Sequence, residues 1–116
     1  MNHDPKVLLR HIQLCLARIA DYVGDGRQGF MADPKTQDAV IRNLEIIGQT
    51  VKDYDIDALA AAAPTIPWQQ IAGLRNVLAH QYLGVDLRLV WNVVEFELPK
   101  LRDALARLAL PPAADS

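Results

Sequence analysis

The chain has 116 residues, of which 51% are hydrophobic and 22% charged, and this composition excludes a disordered or fibrous protein. The length suits one hydrophobic core, so we expect a single domain over residues 1–116 with a frayed tail at about 111–116. The net charge of −2 excludes the general attraction to nucleic acid that a strongly basic domain has, so any such contact must come from local arginines.

The first predicted element is an amphipathic helix from Pro5 to about Val23. Its apolar residues recur at three- and four-residue steps, with polar residues between them. Asp4 supplies an N-cap and Pro5 a favourable first helical residue. The glycine-rich residues 24–29 cannot continue a helix well, so we predict a break there.

A second helix is predicted from about Pro34 to Tyr54, because Asp33 and Pro34 repeat the signal of a cap followed by proline. One side of this helix carries an apolar stripe, formed by Ala39 or Val40, Leu44, Ile47 and Val51. A short helix or turn follows over residues 57–63, and Pro64 ends it.

A third helix is predicted from Pro67, and it carries Trp68, Ile71, Leu74, Arg75, Leu78 and His80. Gly84 ends this region, and Asp86 caps a fourth helix. Pro99 removes a backbone donor inside the fourth helix, so we predict a kink or break there. Four principal helices with short connections predict an all-α, up-and-down four-helix bundle with a short extra helix or turn.

The single cysteine, Cys15, excludes an intramolecular disulfide, and no group of cysteines and histidines has the spacing of zinc ligands. The apolar surroundings of Cys15 predict a buried, inert thiol. No apolar run approaches the roughly 18 residues of a membrane span, and the first residues do not form a signal sequence. We expect a cytoplasmic protein that needs no metal.

The residues best suited to chemistry lie at the end of the third helix. Arg75 and His80 are roughly 140° apart around an ideal helix, whereas Asn76 and His80 share a face that Arg75 borders. Tyr82 falls just beyond the helix. A histidine that moves a proton and an arginine that holds phosphorane charge suit RNA cleavage by the adjacent 2′-hydroxyl. Because one histidine supplies one proton role at a time, two copies in a symmetric dimer would complete the acid and base.

A plain structural role remains open for these residues, since a surface arginine and a hydrogen-bonded, half-buried histidine often occur at this spacing. His3 and His11 fit a chain end and a solvated helix face, and neither is a good candidate. Trp68 and Trp91 lie on apolar stripes, which favours packing in the core or an interface over stacking on bases.

The segment Arg75-Asn76-Val77-Leu78-Ala79-His80-Gln81-Tyr82 resembles the signature of HepT-like toxins in the HEPN superfamily. The likeness extends from His11 to Leu101, because further segments resemble the family in the same order: residues 37–48, 66–68, 73–76, 85–86, 90–91 and 98–99. Gln49 departs from the pattern, since the family commonly has an acidic residue there.

The resemblance implies a dimeric helical bundle and metal-independent RNA cleavage at the dimer interface by Arg75 and His80, with Asn76 in support. It also implies an antitoxin, a minimal nucleotidyltransferase (MNT) that transfers AMP from ATP to the motif tyrosine, here Tyr82. An adenylyl group on Tyr82 would compete with RNA phosphate for Arg75 and occlude the cleft. The plain alternative for Tyr82 is a half-buried ring with a hydrogen-bonded hydroxyl.

Two carboxylates of the second helix, Glu45 and Asp38, are candidates to hold Arg75 or His80 in place, although both could equally face water. Gly48 favours close helix packing over contact with a ligand. Three functions remain open: a ribonuclease toxin, a non-catalytic HEPN module that recognises a nucleotide or a nucleotidyltransferase, and a purely structural dimer.

Overall fold

The computed structural model describes residues 5–80, 84 and 86–109, with the backbone alone for residues 5, 79, 80 and 109. This part of the chain is all-α and contains no strand, as predicted. Its helices are α1 Pro5–Tyr22, α2 Gly26–Ala32, α3 Pro34–Asp53, α4 Ile56–Ala62, α5 Trp68–His80, α6 Leu87–Asn92, a π-helical segment Val93–Glu97, and α7 Leu98–Ala109. The four members of the up-and-down bundle are α1, α3, α5 and the continuous run from α6 to α7.

Helix α3 lies at the centre, packed against both α1 and α5. It begins as predicted, because Asp33 accepts hydrogen bonds from the Lys35 amide at 3.0 Å and from the Thr36 hydroxyl at 2.9 Å. The bond from the Thr36 hydroxyl, followed by that from the Lys35 amide, lowers the pKa of the Asp33 carboxyl. The predicted apolar stripe is confirmed, with 0 to 1% exposure at Val40, Leu44, Ile47 and Val51.

The glycine-rich segment contains a helix that the sequence analysis missed. Helix α1 ends at Tyr22, one residue before the predicted end, but α2 begins at Gly26, whose φ of 76° suits glycine in the turn between the helices. Phe30 of α2 is fully buried, and its ring centroid lies 5.5 Å from that of Trp91. Burial of this aromatic pair stabilises a short helix that local propensity alone does not favour.

The predicted disturbance at Pro99 occurs in the turn before it. Val93–Glu97 is π-helical, and the amide of Leu98 donates to the carbonyl of Val93. Proline has no amide hydrogen, and in an α-helix its ring collides with the carbonyl four residues earlier. A wider preceding turn relieves this collision. The helix departs from α geometry there and continues as α7 without a break.

Both tryptophans pack inside the protein, as predicted. Trp68 is buried and its indole nitrogen donates to the carbonyl of Ala63 at 3.0 Å, while Trp91 is buried beside Phe30. Cys15 is fully buried, and this burial raises the pKa of its thiol. None of the described helices combines the length and the apolar character needed to cross a bilayer.

Candidate active site

A glycine of α3 sets the position of Arg75. A Cβ atom added to Gly48 would lie 2.8 Å from the carbonyl oxygen of Ile71, 3.1 Å from the Arg75 amide nitrogen and 3.3 Å from the Leu74 Cβ. Real Cβ atoms do not approach a backbone carbonyl this closely, so glycine is what allows α5 to lie directly on α3 here. The predicted packing role of Gly48 is therefore confirmed.

The next turn of α5 is open to solvent. Arg75 and Asn76 are exposed, and Val77 is 52% exposed, whereas Leu78 is buried. The backbone of Arg75 is thus fixed against α3 while its guanidinium extends into solvent. An exposed arginine with a fixed backbone is well placed to bind a phosphate with its planar fork.

His80 is the last residue of α5. Its backbone lies one turn beyond Asn76, which agrees with the predicted shared face. The side chain of His80 lies outside what the structure describes, as do the whole of Tyr82 and the predicted N-cap Asp4. The proton-transfer role of His80 and the modification of Tyr82 therefore stay predictions.

The two candidate carboxylates differ in burial. Glu45 is half-buried and lies one turn before Gly48 on α3, whereas Asp38 is exposed and lies about three turns before it. Within residues 5–80, no hydrogen bond or ion pair joins either carboxylate to Arg75. Their supporting role stays a prediction. Among the described side chains, no three histidines, cysteines or carboxylates cluster as metal ligands.

Sequence reasoning missed Asn43, a buried polar residue of α3 that is 6% exposed. Its amide nitrogen donates to the carbonyl of Ala39 at 2.9 Å, but its side-chain oxygen has no partner among the described residues. The sequence does contain a signal for the burial of Asn43, because this residue lies three residues after Val40 and four before Ile47, on the buried side of the helix.

Comparison with known proteins supplies relatives over most of the chain. The probable ribonuclease HepT of Thermococcus cleftensis is 42% identical over 81 residues, which cover 70% of this chain and 73% of that protein. A protein of Caldanaerobacter subterraneus subsp. tengcongensis, named provisionally as an RNase, is 37% identical over 98 residues, covering 84% and 87%. No solved structure matches.

A longer relative comes from Methanocaldococcus jannaschii and is named as a gamma-glutamylcyclotransferase and, provisionally, an RNase. It is 36% identical over 109 residues, which are 93% of this chain but 49% of that protein, so the chain spans about half of its length. The family model described as "Ribonuclease HepT-like" matches residues 12–108. This match covers most of the chain, which therefore belongs to the HepT-like ribonuclease family.

Proposed function

We propose that this protein is a metal-independent endoribonuclease toxin of a two-component toxin and antitoxin system, with its active site at a homodimer interface. The observation that carries the proposal is the exposure of Arg75 and Asn76 on a helix that ends at His80, in a chain of a ribonuclease family. The guanidinium of Arg75 binds the scissile phosphate, and Asn76 orients the phosphate or His80.

The chemistry follows from these groups. His80 of one subunit accepts the proton of the 2′-hydroxyl, whose oxygen attacks the adjacent phosphorus. His80 of the other copy protonates the departing 5′-oxygen, so the products are a 2′,3′-cyclic phosphate and a 5′-hydroxyl. The two Arg75 side chains stabilise the charge of the phosphorane.

The outer surface of α5 supports the homodimer. Val77 is an exposed apolar residue beside Asn76, and Gly73 lies four residues before it on the same helical face. A Cβ added to Gly73 meets none of the described atoms within 4 Å. A small residue next to an apolar one lets a second helix approach closely, and contact with the second copy would bring the two His80 residues together.

The first test is RNA cleavage in the presence of a metal chelator. We expect His80→Ala to cut RNA about 10²-fold to 10⁴-fold more slowly than the parent, which is the usual contribution of a positioned acid or base. Arg75→Ala should cut about 10²-fold to 10³-fold more slowly, because it removes a group that stabilises the charge of the phosphorane. The control is His11→Ala, because His11 is exposed on α1.

Growth after induced expression tests the toxin role in the same variants. A parent protein that is harmless without its partner, or a His80→Ala protein that is equally toxic, would overturn the proposal. RNA binding without cleavage by the parent protein would instead favour the alternative, a non-catalytic HEPN module, which the net charge of −2 leaves open.

The antitoxin in this proposal is an MNT-type nucleotidyltransferase that transfers AMP from ATP to the Tyr82 hydroxyl and releases pyrophosphate. The resulting phosphodiester is an anion that competes with RNA for Arg75. After co-expression with such an enzyme, the mass of the protein should increase by one or more AMP units in the parent and not in Tyr82→Phe. Tyr22→Phe is the matched control, because Tyr22 is a 39% exposed tyrosine of α1. AMP found on any residue other than Tyr82 contradicts this assignment.

A further inference from the structure

Positive charge is concentrated on two helices that pack against each other, α1 and α7. Together they contain six of the twelve lysines and arginines but only two of the fourteen carboxylates, a net charge of +4. The rest of the chain contains six cations and twelve carboxylates, a net charge of −6. The total of −2 therefore conceals a net positive charge on these two helices.

Four arginines make up this basic face: Arg10 and Arg18 of α1, and Arg102 and Arg107 of α7. All four are exposed. Within residues 5–80 and 86–109, no ion pair joins any of them to a carboxylate. Their charges are thus available to a ligand, whereas Lys100 of the same helix is paired with Glu97 at 3.7 Å.

A groove of about 180 Å³ lies between the two helices, and most of its lining is apolar. Ala20 of α1 lies on one side of it, and Pro99 and Arg102 of α7 lie on the other. Ala20 is small and exposed, so a ligand can approach the α1 backbone there, across the groove from Arg102. Arg10 and Arg18 are eight residues apart, about 12 Å along the helix, so they would contact different anionic groups.

We propose that the basic face is a second RNA-binding surface, which holds the phosphate backbone of the substrate at a distance from the bond that is cut. The inference rests on the proposed function, which supplies RNA as the substrate. Helix α5 packs chiefly against α3, while α1 and α7 pack against each other, so the basic face is separate from Arg75.

A polyanion suits this surface better than a compact ligand does. Exposed arginines spread along two helices bind successive phosphates and not one small anion. Salt screens fields over roughly 8–10 Å, so a phosphate near the basic face experiences these arginines more strongly than the acidic remainder of the chain. Contacts to phosphates do not involve the bases, so this surface adds affinity for RNA without sequence preference.

The test compares two triple variants that lose the same charge. The basic-face variant carries Arg10→Gln, Arg18→Gln and Arg102→Gln, and the control carries three substitutions of exposed residues elsewhere, Arg27→Gln, Lys35→Gln and Lys52→Gln. Both have His80→Ala, which slows cleavage enough for binding to be measured, and circular dichroism checks their folding. Binding of a fluorescent single-stranded RNA that can span both helices is measured over a range of salt concentrations.

The slope of log affinity against log salt should become shallower by about 0.7 for each phosphate that the protein no longer neutralises, hence by about 2 in the basic-face variant. The control should keep the parent slope. Equal slopes in the two triple variants would overturn the proposal. The proposal would also be overturned if the basic-face variant kept the parent slope for RNA but bound the antitoxin more weakly, because the basic face would then be a protein interface.

A second readout uses His80-containing protein. The basic-face variant should cut a dinucleotide at the parent rate but show a raised KM with unchanged kcat for a long RNA, since only the long RNA reaches the basic face. An unchanged KM for the long RNA contradicts the proposal. If the parent cuts no RNA while the slopes differ as expected, the ribonuclease proposal fails, and the basic face stands as an RNA-binding surface but not as one that holds a substrate. If the parent cuts RNA and the slopes are equal, the basic face alone fails.

Discussion

Helices α3 and α5 lie against each other, yet they use their surfaces in different ways. Helix α3 packs against α1 as well as α5, is capped by Asp33, and buries its whole apolar stripe. Helix α5 buries Trp68 and Leu78 but exposes Arg75, Asn76 and Val77 between them. A helix packed on two sides is fixed in place, whereas a helix packed mainly on one side keeps a surface for a ligand or a second copy. Helix α3 is thus the support, and α5 carries the candidate site.

The largest expected effect on stability comes from removing the close approach between these helices. Gly48→Ala places a methyl group 2.8 Å from the carbonyl oxygen of Ile71, and the backbone cannot move aside as a flexible side chain can. Overpacking of this kind costs about 1–3 kcal/mol, so thermal unfolding should shift down by roughly 5–10 °C. Because the backbone of Arg75 is displaced as well, RNA cleavage should also fall.

Gly73→Ala is the matched control on α5. Within the described part of one subunit, a Cβ added there meets no atom within 4 Å, and alanine is favoured over glycine in a helix by about 1 kcal/mol, so the melting temperature of the monomer, measured in dilute protein, should rise by a few degrees. Calorimetry on both variants checks the pair. If Gly48→Ala melts as high as Gly73→Ala, the description of α3 as a close-packed support for α5 is wrong.

The sequence was sufficient to predict the long helices, because their signals are local. Caps at Asp33 and Asp86 and an apolar stripe on α3 place boundaries within one or two residues of those observed. Helix α2 could not be predicted in this way, since its stability depends on Phe30 packing against Trp91, a residue 61 positions later. Local propensity contains no information about such a contact.

The candidate site was predictable only in part. Spacing placed Asn76 and His80 on one face of α5, and the exposure of Arg75 agrees with a ligand-binding role. The lack of a partner for the Asn43 oxygen among the described residues could not be predicted, because it depends on which donors the neighbouring helices bring near it. Whether Glu45 supports Arg75 depends equally on the arrangement of two helices and stays a prediction.

A smaller effect on stability is expected when Asn43 is replaced by a residue of similar shape without polar atoms. A buried acceptor without a partner costs about 1–3 kcal/mol, and Asn43→Leu removes that acceptor together with its donor group. The gain is partly offset by the larger volume of leucine, so we expect urea unfolding to show stability equal to the parent or up to about 1 kcal/mol higher. Marked destabilisation would mean that Asn43 has a polar partner in the folded protein. Lower RNA cleavage at unchanged stability would mean that Asn43 supports the site from the inner side of α3.

The smallest expected effect concerns the cap of α3, and it depends on pH. Because hydrogen bonds from Thr36 and Lys35 lower the folded-state pKa of Asp33, its ionised carboxylate stabilises the fold fully above the unfolded value of about 3.9. That stabilisation is lost as the pH falls through the lower, folded-state pKa. Asp33→Ala should therefore melt below the parent near neutral pH, and the difference should shrink in acid. Asp33→Asn keeps a capping side chain without an ionisable group, so its melting temperature should stay close to that of the parent near neutral pH and exceed that of Asp33→Ala throughout. A difference between Asp33→Ala and the parent that persists unchanged into strong acid would show that the hydrogen bonds of the cap stabilise α3 without the charge of Asp33.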